Sequence, residues 1–251
     1  MNTRIKRIIR RVVITGSLLF NVCFVFLSCW ICFETNITDE ILVKLGLQKE
    51  IEIPYDNKSE FLVAEAWANS LSKLNIDADV VFYGNSITFD SNFHQSFPNL
   101  IICNMGCKGD DLDDLINRSF LISSVHPKMI FIMGGINKLS QLSLDCFEKK
   151  YELMVDTIKK QNPQARVILQ SLLPVNVNLK YGKQYSDCID RIRNANSIIK
   201  EIAISSGVEY IDLYSVYNER NTLPLKYTED GLHLKNEAYS RWANCISRYL
   251  D

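Results

Sequence analysis

The sequence predicts an α/β protein built on a parallel sheet of about five strands. Short runs rich in Val, Ile, Phe and Leu end at turn residues, a pattern typical of strands that are buried on both faces. Segments with apolar residues at helical spacing separate these runs. This alternation indicates βαβ units and predicts a three-layer α/β/α sandwich with a flavodoxin-like sheet.

Each element can be assigned to a stretch of sequence. The strand-like runs are, in order, DVVFYG, LIICN, KMIFIMG, ARVILQS and VEYIDLY. The helix-like segments are EFLVAEAWANSLSKL, DDLDDLINRSFLISS, LDCFEKKYELMVDTIKKQ, CIDRIRNANSIIKEIAISS and NEAYSRWANCISRYL. Since reacting groups in such sheets collect beyond the carboxyl ends of the strands, the residues that follow each run are the first candidates for a site.

The N-terminus has the pattern of a membrane anchor. Residues 1–11 contain five basic side chains and no acidic one, and the 22 residues of 12–33 carry no charge. About 20 apolar residues suffice for a helix to cross the bilayer, and basic flanks stay on the cytoplasmic side. We therefore expect a cytoplasmic tail, a single transmembrane helix and an extracytoplasmic domain. A cleaved signal peptide, or cleavage and lipidation at Cys29, is the alternative.

The remainder of the chain is expected to be a stalk over residues 34–59 and one folded domain over residues 60–251. All 29 acidic residues follow Phe33 together with 23 of the 28 basic ones, which leaves a formal charge of −6. Such a domain has no electrostatic basis for binding nucleic acid. No cysteine or histidine spacing is typical of a zinc site, and oligomeric state cannot be predicted.

Ser86 is a candidate nucleophile because it lies two residues beyond the first strand, in DVVFYGNSITFD. A serine at this place more commonly caps the following helix, so a partner base is needed to support the chemistry. Among the three histidines, His94 and His126 occupy polar, turn-like contexts and are expected at the surface. His233 follows Asp230 by three residues, a spacing that lets the carboxylate accept a ring N–H in a tight turn. Ser86, His233 and Asp230 are therefore the predicted catalytic residues.

Stabilising the oxyanion of an acyl-transfer reaction requires hydrogen-bond donors at the same edge of the sheet. Gly106 follows the second strand in NMGCKGDD, and its backbone N–H could approach a substrate closely. Asn137 follows the third strand in IMGGINKL and offers a side-chain amide. Both residues are also ordinary strand breakers and turn formers, so it is their order along the chain that supports the assignment.

These four blocks resemble the SGNH superfamily of GDSL-type lipases and acylhydrolases, in its platelet-activating-factor acetylhydrolase-like and carbohydrate-esterase branch. The resemblance covers about residues 60–250, through GNSIT, NMGCKG, GGIN and DGLHL. It implies a nucleophile at Ser86, a base at His233 oriented by Asp230, and oxyanion donors from Gly106, Asn137 and the Ser86 N–H. It also implies that no cofactor or metal is needed.

Two positions depart from the family pattern. Asn85 stands where an aspartate usually precedes the serine, and Lys138 stands where an aspartate usually follows the asparagine. Neither change removes a nucleophile, base or donor, so an active enzyme is expected. Lys138 is either a solvated residue at a helix start or a group that favours an acidic substrate.

The predicted function is a serine ester hydrolase that removes acetyl groups from carbohydrate outside the cytoplasmic membrane. The carbohydrate preference rests on the expected location and on the resemblance. An acyltransferase to a glycan, a lysophospholipase or a thioesterase would use the same residues, and a tethered glycan-binding module would use the same fold without catalysis.

Overall fold

The computed structural model describes residues 59–250. The predicted cytoplasmic tail, transmembrane segment and stalk lie outside the described residues, apart from Ser59. Within residues 59–250, no helix combines the length and the apolar composition that a membrane span requires. The N-terminal anchor therefore stays a prediction.

The predicted five-stranded parallel sheet is confirmed. Its strands are β1 (Val80–Gly84), β2 (Ile102–Gly106), β3 (Met129–Met133), β4 (Arg166–Gln170) and β5 (Glu209–Ile211). They pair in the order β2-β1-β3-β4-β5, and every pairing is parallel. β2 pairs with one edge of β1. The chain then crosses back, and β3 pairs with the other edge of β1. The carboxyl end of β1 is consequently the point where the strand order reverses, which is where doubly wound sheets bind ligands.

The described part of the chain contains nine α-helices. The helices are α1 (Ser59–Lys73), α2 (Ser86–Phe89), α3 (Phe93–Ser96), α4 (Leu112–Asn117), α5 (Phe120–Ser123), α6 (Leu144–Gln161), α7 (Ile189–Ser206), α8 (Leu213–Tyr217) and α9 (Asn236–Ser247). Two 3₁₀ helices, Leu139–Gln141 and Gly182–Cys188, lie in the connections.

Both faces of the sheet are covered. All five residues of β1 are buried, and since alternate side chains of a strand point to opposite faces, helices must pack on each side. Aromatic side chains fill the layer between β1 and the helices α3 and α9, where the Phe93 ring meets Phe82 at 4.3 Å and Trp242 at 5.3 Å between centroids. The arrangement agrees with the three-layer expectation.

Two predicted elements differ in detail. The segment DDLDDLINRSFLISS forms two short helices, because Arg118 leaves the helical conformation after α4 and its side chain turns into the protein interior. The run VEYIDLY is a strand only as far as Ile211, because the Asp212 side chain accepts a hydrogen bond from the Ser215 N–H and starts α8.

Candidate active site

Ser86 is the first residue of α2, directly beyond the carboxyl end of β1. Asn85 caps this helix through its side-chain oxygen, which accepts a hydrogen bond from the Ile87 N–H at 3.0 Å. Gly84 allows the strand to lie against its neighbours, because a Cβ atom there would stand 2.2 Å from the Met133 carbonyl oxygen. Strand, glycine and cap together hold Ser86 at the switch point of the sheet.

Ser86, His233 and Asp230 form a continuous hydrogen-bonded chain. The Ser86 Oγ atom is 3.0 Å from His233 Nε2, and His233 Nδ1 is 2.7 Å from Asp230 Oδ2. Residues that are 147 positions apart in sequence therefore meet within hydrogen-bonding distance. A serine beside a base that is itself oriented by a carboxylate is the arrangement of an activated nucleophile.

Asp230 is held in its charged form. Burial by itself would raise the pKa of this carboxyl, but hydrogen bonds from the Leu232 N–H, the His233 ring and the His233 N–H outweigh burial and lower the pKa. Asp230 Oδ1 accepts the two backbone bonds at 2.8 Å each, which leaves Oδ2 for the imidazole. A carboxylate fixed in this way selects the tautomer with the proton on Nδ1 and frees Nε2 to accept the serine proton.

A second segment braces the turn that holds the aspartate and the histidine. The N–H groups of Tyr181 and Gly182 donate to the Asp230 carbonyl oxygen at 2.8 and 3.1 Å. Gly231 has a φ of 91°, and a Cβ atom there would come within 2.4 Å of the Asn176 carbonyl oxygen. The Tyr181 ring contacts the His233 ring edge-on at 5.9 Å. Sequence reasoning did not find this contact, since no motif links the two segments.

Asn137 lies at the same edge of the sheet, as predicted. Its side-chain Nδ2 donates one hydrogen bond to the Asp110 carbonyl oxygen at 2.8 Å. Because an amide nitrogen carries two hydrogens, a second N–H remains for a substrate oxygen. The contact with Asp110 fixes the orientation of the amide.

Gly106 does not fit the donor role that the sequence suggested. Its N–H donates to Asn104 Oδ1 at 2.9 Å, so it is already engaged. The absence of a side chain at Gly106 serves packing, because a Cβ atom would stand 2.2 Å from the Phe89 nitrogen. Gly109, three residues beyond the end of β2, is exposed, has a φ of 79° and has no atom within 4 Å of a Cβ position. Sequence reasoning missed Gly109, and the only signal was a second glycine in NMGCKGDD.

Arg118 joins the ends of β1 and β2 to Asp110. Sequence reasoning also missed this residue. Its side chain is fully buried, and its three hydrogen bonds go to Asp110 Oδ2 at 2.6 Å and to the Gly84 and Met105 carbonyl oxygens at 2.7 Å each. Burial lowers the pKa of Arg118 to about 9, and the paired carboxylate favours the charged form. Arg118 therefore ties the ends of β1 and β2 to the residue that orients Asn137.

The two residues that depart from the family pattern border the site. Asn85 is fully buried, and its Nδ2 atom has no hydrogen-bond partner among the described residues. Lys138 has a left-handed φ of 58°, precedes the 3₁₀ helix Leu139–Gln141 and pairs with Asp111 at 2.9 Å. The Asp111 carboxylate thus partly neutralises the Lys138 charge.

His94 and His126 are exposed, in agreement with the sequence prediction. Within residues 59–250, no group of three or more His, Cys, Asp or Glu side chains is arranged to hold a metal ion.

A serine, a histidine and an aspartate linked in this order at the edge of a parallel sheet define the arrangement of a serine hydrolase. The chain belongs to the GDSL-like Lipase/Acylhydrolase family, whose profile matches residues 82–241. The predicted family membership is therefore confirmed.

Known proteins with related sequences or folds agree with this assignment. A multidomain esterase from Ruminococcus flavefaciens is 24% identical in an alignment of 180 residues, and the match covers 67% of this chain and 22% of that protein. The chain thus spans about a fifth of the length of this curated relative.

Solved structures show the same fold. A candidate platelet activating factor from Streptococcus pneumoniae superposes with a TM-score of 0.67 at 20% identity, over 88% of this chain and 99% of the other. A GDSL-like lipase from Bacteroides thetaiotaomicron gives a TM-score of 0.62 at 20% identity, over 78% and 98% of the two chains.

Proposed function

We propose that Ser86 attacks a carboxylic ester and that His233 and Asp230 activate it. The observation that supports this most directly is the unbroken chain of 3.0 and 2.7 Å contacts from the serine hydroxyl to the carboxylate. His233 Nε2 takes the hydroxyl proton as Ser86 Oγ bonds to the carbonyl carbon, and then gives that proton to the departing alcohol. Water activated by the same nitrogen next hydrolyses the acyl-enzyme and releases the acid and Ser86.

Oxyanion stabilisation is proposed to come from three donors. The Ser86 N–H lies at the start of α2, where helix geometry leaves the first N–H groups without helical partners. The second donor is the free N–H of the Asn137 amide, and the third is the Gly109 N–H in place of that of Gly106. Gly109 supports this role because it is exposed and lacks a side chain that would keep a substrate away.

The proposed substrate is an O-acetylated carbohydrate, and the proposed location is the outer side of the cytoplasmic membrane. The location is supported by the basic residues 1–11 and the uncharged segment 12–33, which are typical of an uncleaved anchor. A tethered domain of this kind would encounter envelope glycans and imported oligosaccharides.

The test is acetate release from a panel of acetylated sugars, with para-nitrophenyl acetate and longer-chain esters in parallel. The full chain is compared with Ser86→Ala, and with Ser240→Ala as a matched control on the exposed side of α9. We expect release from sugars that depends on Ser86 and is unaffected in the control. Serine-dependent turnover of the synthetic ester alone would overturn the carbohydrate assignment, and full activity of Ser86→Ala would overturn the catalytic one.

The location is tested by protease protection of intact source cells. We expect an added protease to digest residues 60–251 from outside. The membrane fraction should retain the chain after alkaline carbonate extraction. Protection of the domain in intact cells, or its release by carbonate, would contradict the proposed anchor.

A further inference from the structure

We propose that Lys138 is a positioning residue whose ion pair with Asp111 holds the proposed oxyanion donors Asn137 and Gly109 in place. The Lys138 Nζ atom is 2.9 Å from Asp111 Oδ2. This contact joins the loop after β3 to the loop after β2, and each loop contributes one proposed donor. The inference rests on the proposed function, because it assigns a role within the same oxyanion site. Lys138 thus acts through its neighbours and does not touch the substrate.

The Asp111 carboxylate has a fixed orientation and stays charged. Its Oδ1 atom caps α4 by accepting hydrogen bonds from the Asp113 and Asp114 N–H groups at 2.8 and 3.1 Å. Its Oδ2 atom then faces Lys138. Burial by itself would raise the pKa of Asp111, but the hydrogen bonds from Lys138 and from the α4 backbone outweigh burial and lower the pKa. Lys138 is therefore paired with a rigid anion rather than with a mobile surface side chain.

Two consecutive residues of one loop contact two consecutive residues of the other. The Asn137 Nδ2 atom donates to the Asp110 carbonyl oxygen at 2.8 Å, and Lys138 pairs with Asp111. Gly109 directly precedes Asp110. A single hydrogen bond lets one loop pivot about that contact, whereas a second contact one residue away opposes the rotation. Since an oxyanion donor is effective only when it is held in the correct place, the second contact has a catalytic consequence.

The backbone transmits a change at Lys138 to Asn137. Lys138 has a φ of 58° and a ψ of 11°, a left-handed conformation that costs energy for a residue with a side chain. The flanking Ile136 and Leu139 are buried, and the Leu139 N–H donates to the Ile136 carbonyl oxygen at 3.2 Å. Asn137 and Lys138 therefore form the centre of one tight turn, and neither residue can shift without the other.

Contact with an acidic substrate is the competing role for Lys138. The side chain is 56% exposed, whereas that of Asp111 is only 9% exposed. Turning the ammonium toward a substrate would leave the Asp111 charge nearly buried and without its cation, which is costly. The geometry therefore favours positioning, and the two roles differ in their expected kinetics.

The test measures kcat and KM of the wild type, Lys138→Met and Lys138→Arg with two esters. Para-nitrophenyl acetate is neutral, and mono-para-nitrophenyl succinate carries a carboxylate on its acyl part. Lys150→Met is the matched control, because it breaks a second lysine–aspartate pair of α4, with Asp113. Turnover that depends on Ser86 is measured first, with Ser86→Ala. Its absence in the wild type would overturn the proposed function itself, and the role of Lys138 with it.

We expect Lys138→Met to lower kcat about fivefold for both esters and to leave KM within about twofold, the rate equivalent of one partly exposed ion pair. The fall should appear whichever step limits the rate, because acylation and deacylation both form an oxyanion. Lys138→Arg should recover most of the loss because it keeps the charge. Lys150→Met should keep the wild-type kcat.

Two results would overturn the proposal. One is a kcat of Lys138→Met equal to that of Lys150→Met in an otherwise active enzyme. The other is a loss confined to KM of the succinate ester, which would instead assign Lys138 to an acidic substrate. Thermal unfolding checks that each variant is folded. If Lys138→Met does not fold, Lys138→Gln, which lacks the charge but keeps a polar side chain, takes its place with the same expected results.

Discussion

Replacing Arg118 with methionine should destabilise the protein by about 3–5 kcal/mol, the usual cost of removing one partner of a buried ion pair. The guanidinium has no exposed surface, and it satisfies the fully buried Asp110 carboxylate and two backbone carbonyl oxygens at 2.6–2.7 Å. Methionine fills a similar volume but donates no hydrogen bond. All three acceptors would then be left without the arginine that they contact. Because a domain is stable by only about 5–15 kcal/mol in total, the loss would be a large part of that margin.

The assay is urea unfolding followed by far-ultraviolet circular dichroism, with the free energy of unfolding taken from the linear dependence on urea. Arg193→Met is the matched control, because Arg193 pairs with Asp190 on the surface and such exposed pairs contribute about 1 kcal/mol or less. The double variant Asp110→Asn/Arg118→Met should recover part of the loss, since it no longer buries an unpaired charge. If Arg118→Met unfolded within about 1 kcal/mol of the wild type, the inference that a buried ion pair stabilises this region would be refuted.

Three further predictions concern catalysis and pH. Asp230→Asn should lower kcat for para-nitrophenyl acetate about 10³-fold or more while the fold is kept, because the amide no longer orients His233; near-normal turnover would contradict this. Asn137→Ala should lower kcat about 10²-fold with little change in KM, and a change confined to KM would exclude an oxyanion role. The hydrogen bond from Lys128, with that from the Ile101 N–H, lowers the pKa of Asp79, so its contribution to stability exists above the unfolded-state pKa and is lost as pH falls. Asp79→Asn should therefore lower the thermal midpoint at pH 7, and its difference from the wild type should shrink below about pH 4; a constant difference would contradict the assignment.

The residues that we propose to be catalytic could be predicted because each one depends on a local pattern. The apolar run before Ser86 specifies a buried strand, and a residue just beyond a parallel strand must lie at the carboxyl edge of the sheet. The three-residue spacing from Asp230 to His233 specifies their contact within one turn. The strand order along the chain then brings these two blocks together. The prediction of these three residues therefore did not require contacts that the sequence leaves open.

The proposed oxyanion donors show where local patterns stop being sufficient. Gly106 and Gly109 are both glycines after the same strand, and nothing in the sequence separates them. Contacts with other segments decide between them: Asn104 occupies the Gly106 N–H, and the backbone at Phe89 fills the space beside that glycine. Whether a backbone N–H is available depends on which acceptors the fold places next to it, and that is a property of packing.

By itself, the sequence determined the α/β class, the five strands and the serine, histidine and aspartate, since period and spacing along the chain are enough to specify them. The tertiary structure alone decided that Arg118 turns inward between β1 and β2 and that Tyr181 packs against His233. Each of these features joins segments that are far apart along the chain. Their positions follow from the burial of charge and the packing of backbone, which no local pattern of residues encodes.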